Sequence, residues 1–60
     1  MLYITIEKQE SDLLWEAPYT WNSAENLQNY LDELKSKQGA MIKIFKVDLD
    51  MGVIKEVKKL

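Results

Sequence analysis

The segment 42–47, IKIFKV, constrains the fold most because it places large apolar side chains on both faces of the strand that it forms. Successive side chains of a strand point to opposite faces of the sheet. A chain of 60 residues has room for one small domain near the lower size limit of independent folding. One helix covers one face of a sheet, so we expect about three large apolar side chains on a face that this helix does not cover.

The N-terminal third of the chain predicts a β-hairpin. In segment 2–7, LYITIE, the apolar side chains Leu2, Ile4 and Ile6 alternate with polar or aromatic ones, which indicates a half-buried strand with its apolar side toward the core. Segment 9–12 is polar and typical of a turn. Segment 13–17, LLWEA, then predicts a second strand with Trp15 in the core, and Pro18 ends it because proline lacks an N–H for the ladder.

The middle of the chain predicts an amphipathic helix of about four turns. The helix begins at Asn22 or Ser23, and Asn22 as N-cap would place Glu25 at the third helical position, as in a capping box. The apolar residues follow the i, i+3, i+4 spacing of one buried stripe: Ala24, Leu27, Leu31 and Leu34. Gly39 stands where a left-handed residue after the helix is expected.

The C-terminal third predicts a second hairpin, with strands at 40–47 and 53–58 and a turn at 48–52 that is rich in Asp and Gly. Pairing of Val47 with Val53 would leave the isoleucines on the outer face: Ile42, Ile44 and Ile54. A slip of one residue would leave a different outer set: Phe45, Val47 and Ile54. Both registers remain open at this point.

These elements predict a single α+β domain, residues 1–60, in the order ββαββ, with a four-stranded, mostly antiparallel sheet and one helix packed on one face. In length, element order and amphipathic central helix, the chain resembles the small β-grasp immunoglobulin-binding domains of streptococcal and staphylococcal-type surface proteins. The resemblance is one of layout. It assigns no binding residue, because likeness of fold does not supply function.

The composition argues against enzymatic chemistry. The chain has no His, Cys or Arg, so it lacks the usual near-neutral base, the thiolate nucleophile and the bidentate phosphate clamp. Two glycines cannot make a phosphate-binding loop, and the sequence DLDMG at 48–52 lacks the later ligands of a calcium loop. We therefore predict no enzyme, catalytic residue, cofactor, metal or small-molecule substrate. Without disulfides or an apolar run of membrane-spanning length, we expect a cytoplasmic protein with no membrane partner.

Charge divides along the chain. Residues 1–34 carry seven acids and one lysine, whereas residues 35–60 carry seven lysines and three acids. Glu25, Asp32 and Glu33 point away from the predicted buried stripe and form a candidate acidic surface that could imitate nucleic-acid phosphates. The lysines of the C-terminal hairpin give an alternative function, a weak binder of single-stranded nucleic acid: Lys43, Lys46 and Lys55.

The leading hypothesis is a small non-enzymatic protein-interaction module that acts as a regulator or inhibitor by masking a partner's surface. Stand-alone acidic domains of this size are of the kind that phages and other mobile elements encode. This origin is suggested by association and not by a physical argument. The predicted contact residues are those of the outer sheet face and the segment before the helix: Tyr3, Thr5, Ile42, Ile44, Ile54, Tyr19 and Trp21. The expected partner is another protein or a second copy in a homodimer.

Overall fold

The computed structural model describes residues 2–60, and these form one four-stranded sheet and one helix in the predicted order ββαββ. The elements are β1 (Leu2–Gln9), β2 (Tyr19–Trp21), α1 (Ala24–Leu34), β3 (Ala40–Asp48) and β4 (Val53–Val57). The strands lie in the order β2-β1-β3-β4, and every neighbouring pair is antiparallel. The α+β class and the helix-on-sheet arrangement are therefore confirmed.

The second strand lies later in the chain than predicted. Segment 13–17 is part of an irregular connection, in which the side chains of Leu13 and Leu14 are 94% and 81% exposed. The strand forms instead at Tyr19–Trp21, directly after Pro18. Ring packing favours the strand at Tyr19–Trp21. The centroid of the Trp21 ring lies 5.7 Å from that of Tyr19, and the indole also contacts Thr5 on β1 and Tyr30 on the helix. Leucines in a strand at 13–17 would lack these contacts.

The helix is capped by Ser23, the second of the two starts considered, and not by Asn22. Ser23 has an extended backbone, and its Oγ accepts a hydrogen bond from the Asn26 N–H at 3.2 Å. Glu25 is therefore the second helical residue and no capping box forms. The helix ends at Leu34 after about three turns. Gly39, with φ of +79°, does not follow the helix end directly but lies in the turn before β3.

The C-terminal hairpin adopts the slipped register. Val47 lies opposite Ile54, and Asp48 lies opposite Val53. The side chains of Ile42 and Ile44 consequently share a face with Val57, while Phe45, Val47 and Ile54 occupy the other face. The turn is held by the Asp48 carboxylate, which accepts hydrogen bonds from the N–H groups of Asp50 and Met51, each at 3.1 Å.

Helix α1 packs on the face of β1 that the sequence assigned to the outside. The Tyr30 hydroxyl donates to Glu7 Oε2 at 2.6 Å, and the Trp21 indole N–H donates to Thr5 Oγ1 at 3.0 Å. We call this side of the sheet, which carries Tyr3, Thr5, Glu7, Trp21, Ile42, Ile44 and Val57, the helix face. Aromatic side chains thus donate hydrogen bonds to the polar side chains of β1. The face of β1 that points to the helix is the opposite of the one expected from the sequence.

Candidate functional site

The opposite side of the sheet, here named the open face, has no regular element over it among residues 2–60, because their one helix lies on the helix face. The strand registers assign eleven residues to the open face: Leu2, Ile4, Ile6, Lys8, Thr20, Met41, Lys43, Phe45, Val47, Ile54 and Glu56. A sheet face that remains in water normally carries polar side chains. This one is mostly apolar.

The centre of the open face consists of large side chains in cross-strand pairs. Ile4 lies opposite Phe45, and both are half-buried. Leu2 lies opposite Val47, which is only 7% exposed because its neighbours enclose it. Ile54 extends the patch onto β4 and is 63% exposed. The apolar surface is therefore continuous across three strands.

One end of the open face is positively charged. Loop residue Trp15 lies beneath two ammonium groups, with Lys43 Nζ 4.9 Å and Lys8 Nζ 5.5 Å from its ring centroid. Such cation–π contacts hold both lysines at this end of the sheet. Trp15 is half-buried here, although the sequence placed it in the core on a strand.

The other end of the open face is negatively charged. A hollow of about 490 Å³ brings the open-face residues Leu2 and Val47 beside Asp48 and Asp50 of the β3–β4 turn. Asp50 is exposed, while the Asp48 carboxylate is occupied by the turn's own N–H groups. The face therefore has an apolar centre, two lysines at one end and the exposed Asp50 beside the other end, whereas Asp48 pairs with Val53 on the other side of the sheet.

The sequence expected Tyr3, Thr5, Ile42 and Ile44 to point outward, and this placement is wrong. All four lie on the helix face, where Thr5 is 1% and Ile44 is 7% exposed. The slipped hairpin register and the hydrogen bond from Trp21 to Thr5 account for the reversal. Of the predicted sheet-face residues, only Ile54 lies on the open face. The register that pairs Val47 with Val53 did not place Phe45 and Val47 there.

The two aromatic candidates before the helix have different positions. Trp21 is half-buried between Tyr19 and Tyr30, with ring centroids 5.7 Å and 5.2 Å away, and it closes the core of the helix face. Tyr19 is 66% exposed on edge strand β2. Trp21 therefore belongs to the core, whereas Tyr19 remains exposed as a contact candidate would be.

Tyr30 acquires an unusual ionisation. Its hydrogen bond to Glu7, followed by its burial and the negative charge of Glu7, raises the pKa of Tyr30 to about 12 from the ordinary 10.0. The neutral phenol is the form that this arrangement stabilises. The contact is structural, since it joins α1 to β1 beneath the helix.

The charged candidates do not all form common surfaces. Glu25, Asp32 and Glu33 are exposed on α1, where the Asp32 carboxylate accepts from Gln28 at 3.0 Å and lies 3.7 Å from Lys35 Nζ. The hairpin lysines are separated by the sheet itself: Lys43 is on the open face, whereas Lys46 and Lys55 lie opposite each other on the other face. That second pair places like charges side by side.

A second hollow, of about 560 Å³, lies between α1 and the C-terminal residues. Its floor includes Ile42 and Ile44, and its polar groups include Lys35, Lys58 and Lys59. Small-molecule sites usually combine an apolar lining with a few fixed, convergent polar groups. The exposed lysines at the rim of this hollow are not fixed in this way.

Within residues 2–60 no three His, Cys, Asp or Glu side chains come together as a metal site would require. The helix of this part of the chain is too short and too polar to cross a membrane. Comparison of the chain with protein-family models, with curated proteins and with solved structures found no match.

Proposed function

We propose that this chain is a small non-enzymatic protein-interaction module and that its open face is the binding surface. The observation that carries the proposal is the continuous apolar patch of Ile4, Phe45 and Ile54 on a sheet face without a covering element in residues 2–60. Contiguous apolar patches on small domains usually mark interfaces, since leaving them in water costs free energy.

The dimensions of the open face suit a protein surface better than a small ligand. Eight residues of β1 span about 26 Å, and four strands side by side span about 19 Å between the outer edges. Because β2 has three residues and β4 five, the footprint is smaller than the full rectangle, roughly 400 Å², which is what one partner contributes to a weak or transient interface.

Binding through this face would conceal an equal area on the partner. A module of this size would therefore act as a regulator or inhibitor by occupying a surface, with no chemical step of its own. The half-buried aromatic Phe45 lies near the centre of the face, where anchors of binding energy are usually found. Lys8, Lys43 and Glu56 would lie at the rim.

Photo-crosslinking tests the proposal without knowledge of the partner. A photoreactive benzophenone amino acid would replace Phe45 in one protein and Asn29, exposed on α1, in a matched control. After irradiation in cells of the natural source, we expect covalent adducts with a polypeptide from position 45 and none from position 29. Absence of adducts at position 45, or equal adducts at both positions, would contradict the proposal.

A further inference from the structure

We infer that the occupant of the open face is a second copy of this chain, packed face to face across a two-fold axis. The inference rests on the proposed function, because it names the partner of the same surface. Three observations carry it: the total exposed area, the character of the sheet edges, and the distribution of charge along the open face.

The described chain exposes more surface than a folded monomer of its mass should. Its accessible surface is 4847 Å² for 7.1 kDa, whereas the scaling for monomeric proteins gives about 4,100 Å². The excess is about 750 Å². Pairing of two copies through the open face would cover an area of roughly 400 Å² on each chain, about half of that excess.

The sheet edges are poor sites for self-association. Edge strand β2 has three residues and directly follows Pro18, which has no N–H to donate. Edge strand β4 carries Lys55, and Lys58 and Lys59 follow it. Lysines on an edge oppose the addition of a further strand. Two copies therefore associate through the face and not by extension of the sheet.

Charge selects one orientation of the two copies. A two-fold axis that runs across the strands stacks the sheets antiparallel, so the end with Lys8 and Lys43 faces the end of the partner that carries the exposed Asp50. An axis parallel to the strands would place lysines on lysines. Complementary potentials favour the first arrangement and disfavour the second.

Sedimentation equilibrium of the full chain tests the pairing. We expect a monomer–dimer equilibrium with a dissociation constant of roughly micromolar size, as suits an interface near the lower size limit. Phe45→Thr removes the side chain from both copies at once and should weaken the dimer by at least about thirtyfold. Ile54→Thr changes a side chain that is 63% exposed, so the fold tolerates it, and it should weaken the dimer also. Val53→Thr, on the other face of β4, is the matched control and should leave the dimer unchanged.

Charge exchange tests the orientation. Lys8→Glu and Asp50→Lys each alter two symmetry-related rim pairs, so each should weaken association by about 25-fold, or about fivefold for each pair. In the antiparallel stack the double variant restores opposite charges and recovers most of the affinity. Weakening that simply accumulates in the double variant would overturn the orientation.

The self-association and the proposed function fail separately. A wild-type chain that remains monomeric at millimolar concentration, or a dimer that Phe45→Thr and Ile54→Thr leave intact, overturns the inference. If position 45 then crosslinks to a different polypeptide, the interaction module stands with another partner. Adducts of twice the chain mass support the second copy as the occupant.

Discussion

Replacement of the neighbours Ile44 and Phe45 by threonine should show which face of the sheet holds the fold together. Ile44→Thr exchanges two buried carbons for a hydroxyl at a position that is 7% exposed. Loss of the two carbons costs about 1.6 kcal/mol, and a buried hydroxyl without a partner costs about 1–3 kcal/mol more. We expect a loss of about 3 kcal/mol, a large part of the roughly 3–9 kcal/mol available to a chain of 60 residues.

Phe45→Thr should cost less in the monomer than Ile44→Thr. Phe45 is partly exposed on the open face, so the new hydroxyl can reach water, and threonine retains good strand propensity. The loss combines the cross-strand contact with Ile4 and part of the buried area of the ring, about 2 kcal/mol in all.

Urea unfolding followed by circular dichroism measures both variants, at protein concentrations well below the expected dimer dissociation constant and with comparison of the m-values. A larger loss of stability for Phe45→Thr than for Ile44→Thr would refute the assignment of faces.

Further predictions concern the contacts that hold α1 and β2 to the sheet. A double-mutant cycle of Thr5→Val with Trp21→Phe should give a coupling of about 1 kcal/mol from their hydrogen bond, and a coupling near zero would contradict that role. Tyr30→Phe should lower the unfolding free energy by about 1 kcal/mol below pH 10. Because the pKa of Tyr30 is raised to about 12, its contribution is lost as the pH rises from 10 toward 12, so the difference from wild type should shrink there and not stay constant. Ser23→Ala should cost about 1 kcal/mol in thermal melts and Ser23→Asp much less, whereas equal losses would argue against the N-cap.

Sequence periodicity predicted the order of elements well because the helix and the C-terminal hairpin carry strong local signals. The stripe of Leu27, Leu31 and Leu34 has the helical spacing, and Asp48 and Gly52 suit a tight turn. These signals depend on neighbours in the chain. They needed no knowledge of the tertiary packing.

The face of β1 that points to the helix could not be predicted in this way. The rule that the more apolar side of a strand faces the core assigned Ile4 and Ile6 inward, and the structure places Thr5 there. Thr5 and Glu7 are acceptable beneath the helix because Trp21 and Tyr30 donate hydrogen bonds to them across 16 and 23 residues. Such distant partners leave no periodic signal.

The same limitation applies to the candidate site. The sequence predicted that one apolar sheet face would lack a covering helix, and it included the correct outer set of the C-terminal hairpin as one of two registers. The choice between the registers depends on how β3 pairs with both neighbours. Pairing of Asp48 with Val53, and not of Val47 with Val53, moved Phe45 to the open face.

Thiol labelling tests most directly the claim that the face of Phe45 is the contact surface, since the chain contains no cysteine of its own. The Phe45→Cys and Ile44→Cys variants would be treated with a soluble maleimide over a range of protein concentrations. In dilute solution, we expect position 45 to react at least about tenfold faster than position 44, which becomes accessible only on local opening. At high concentration, position 45 should become protected as the second copy covers it. Reaction at position 44 as fast as at position 45 would contradict the account.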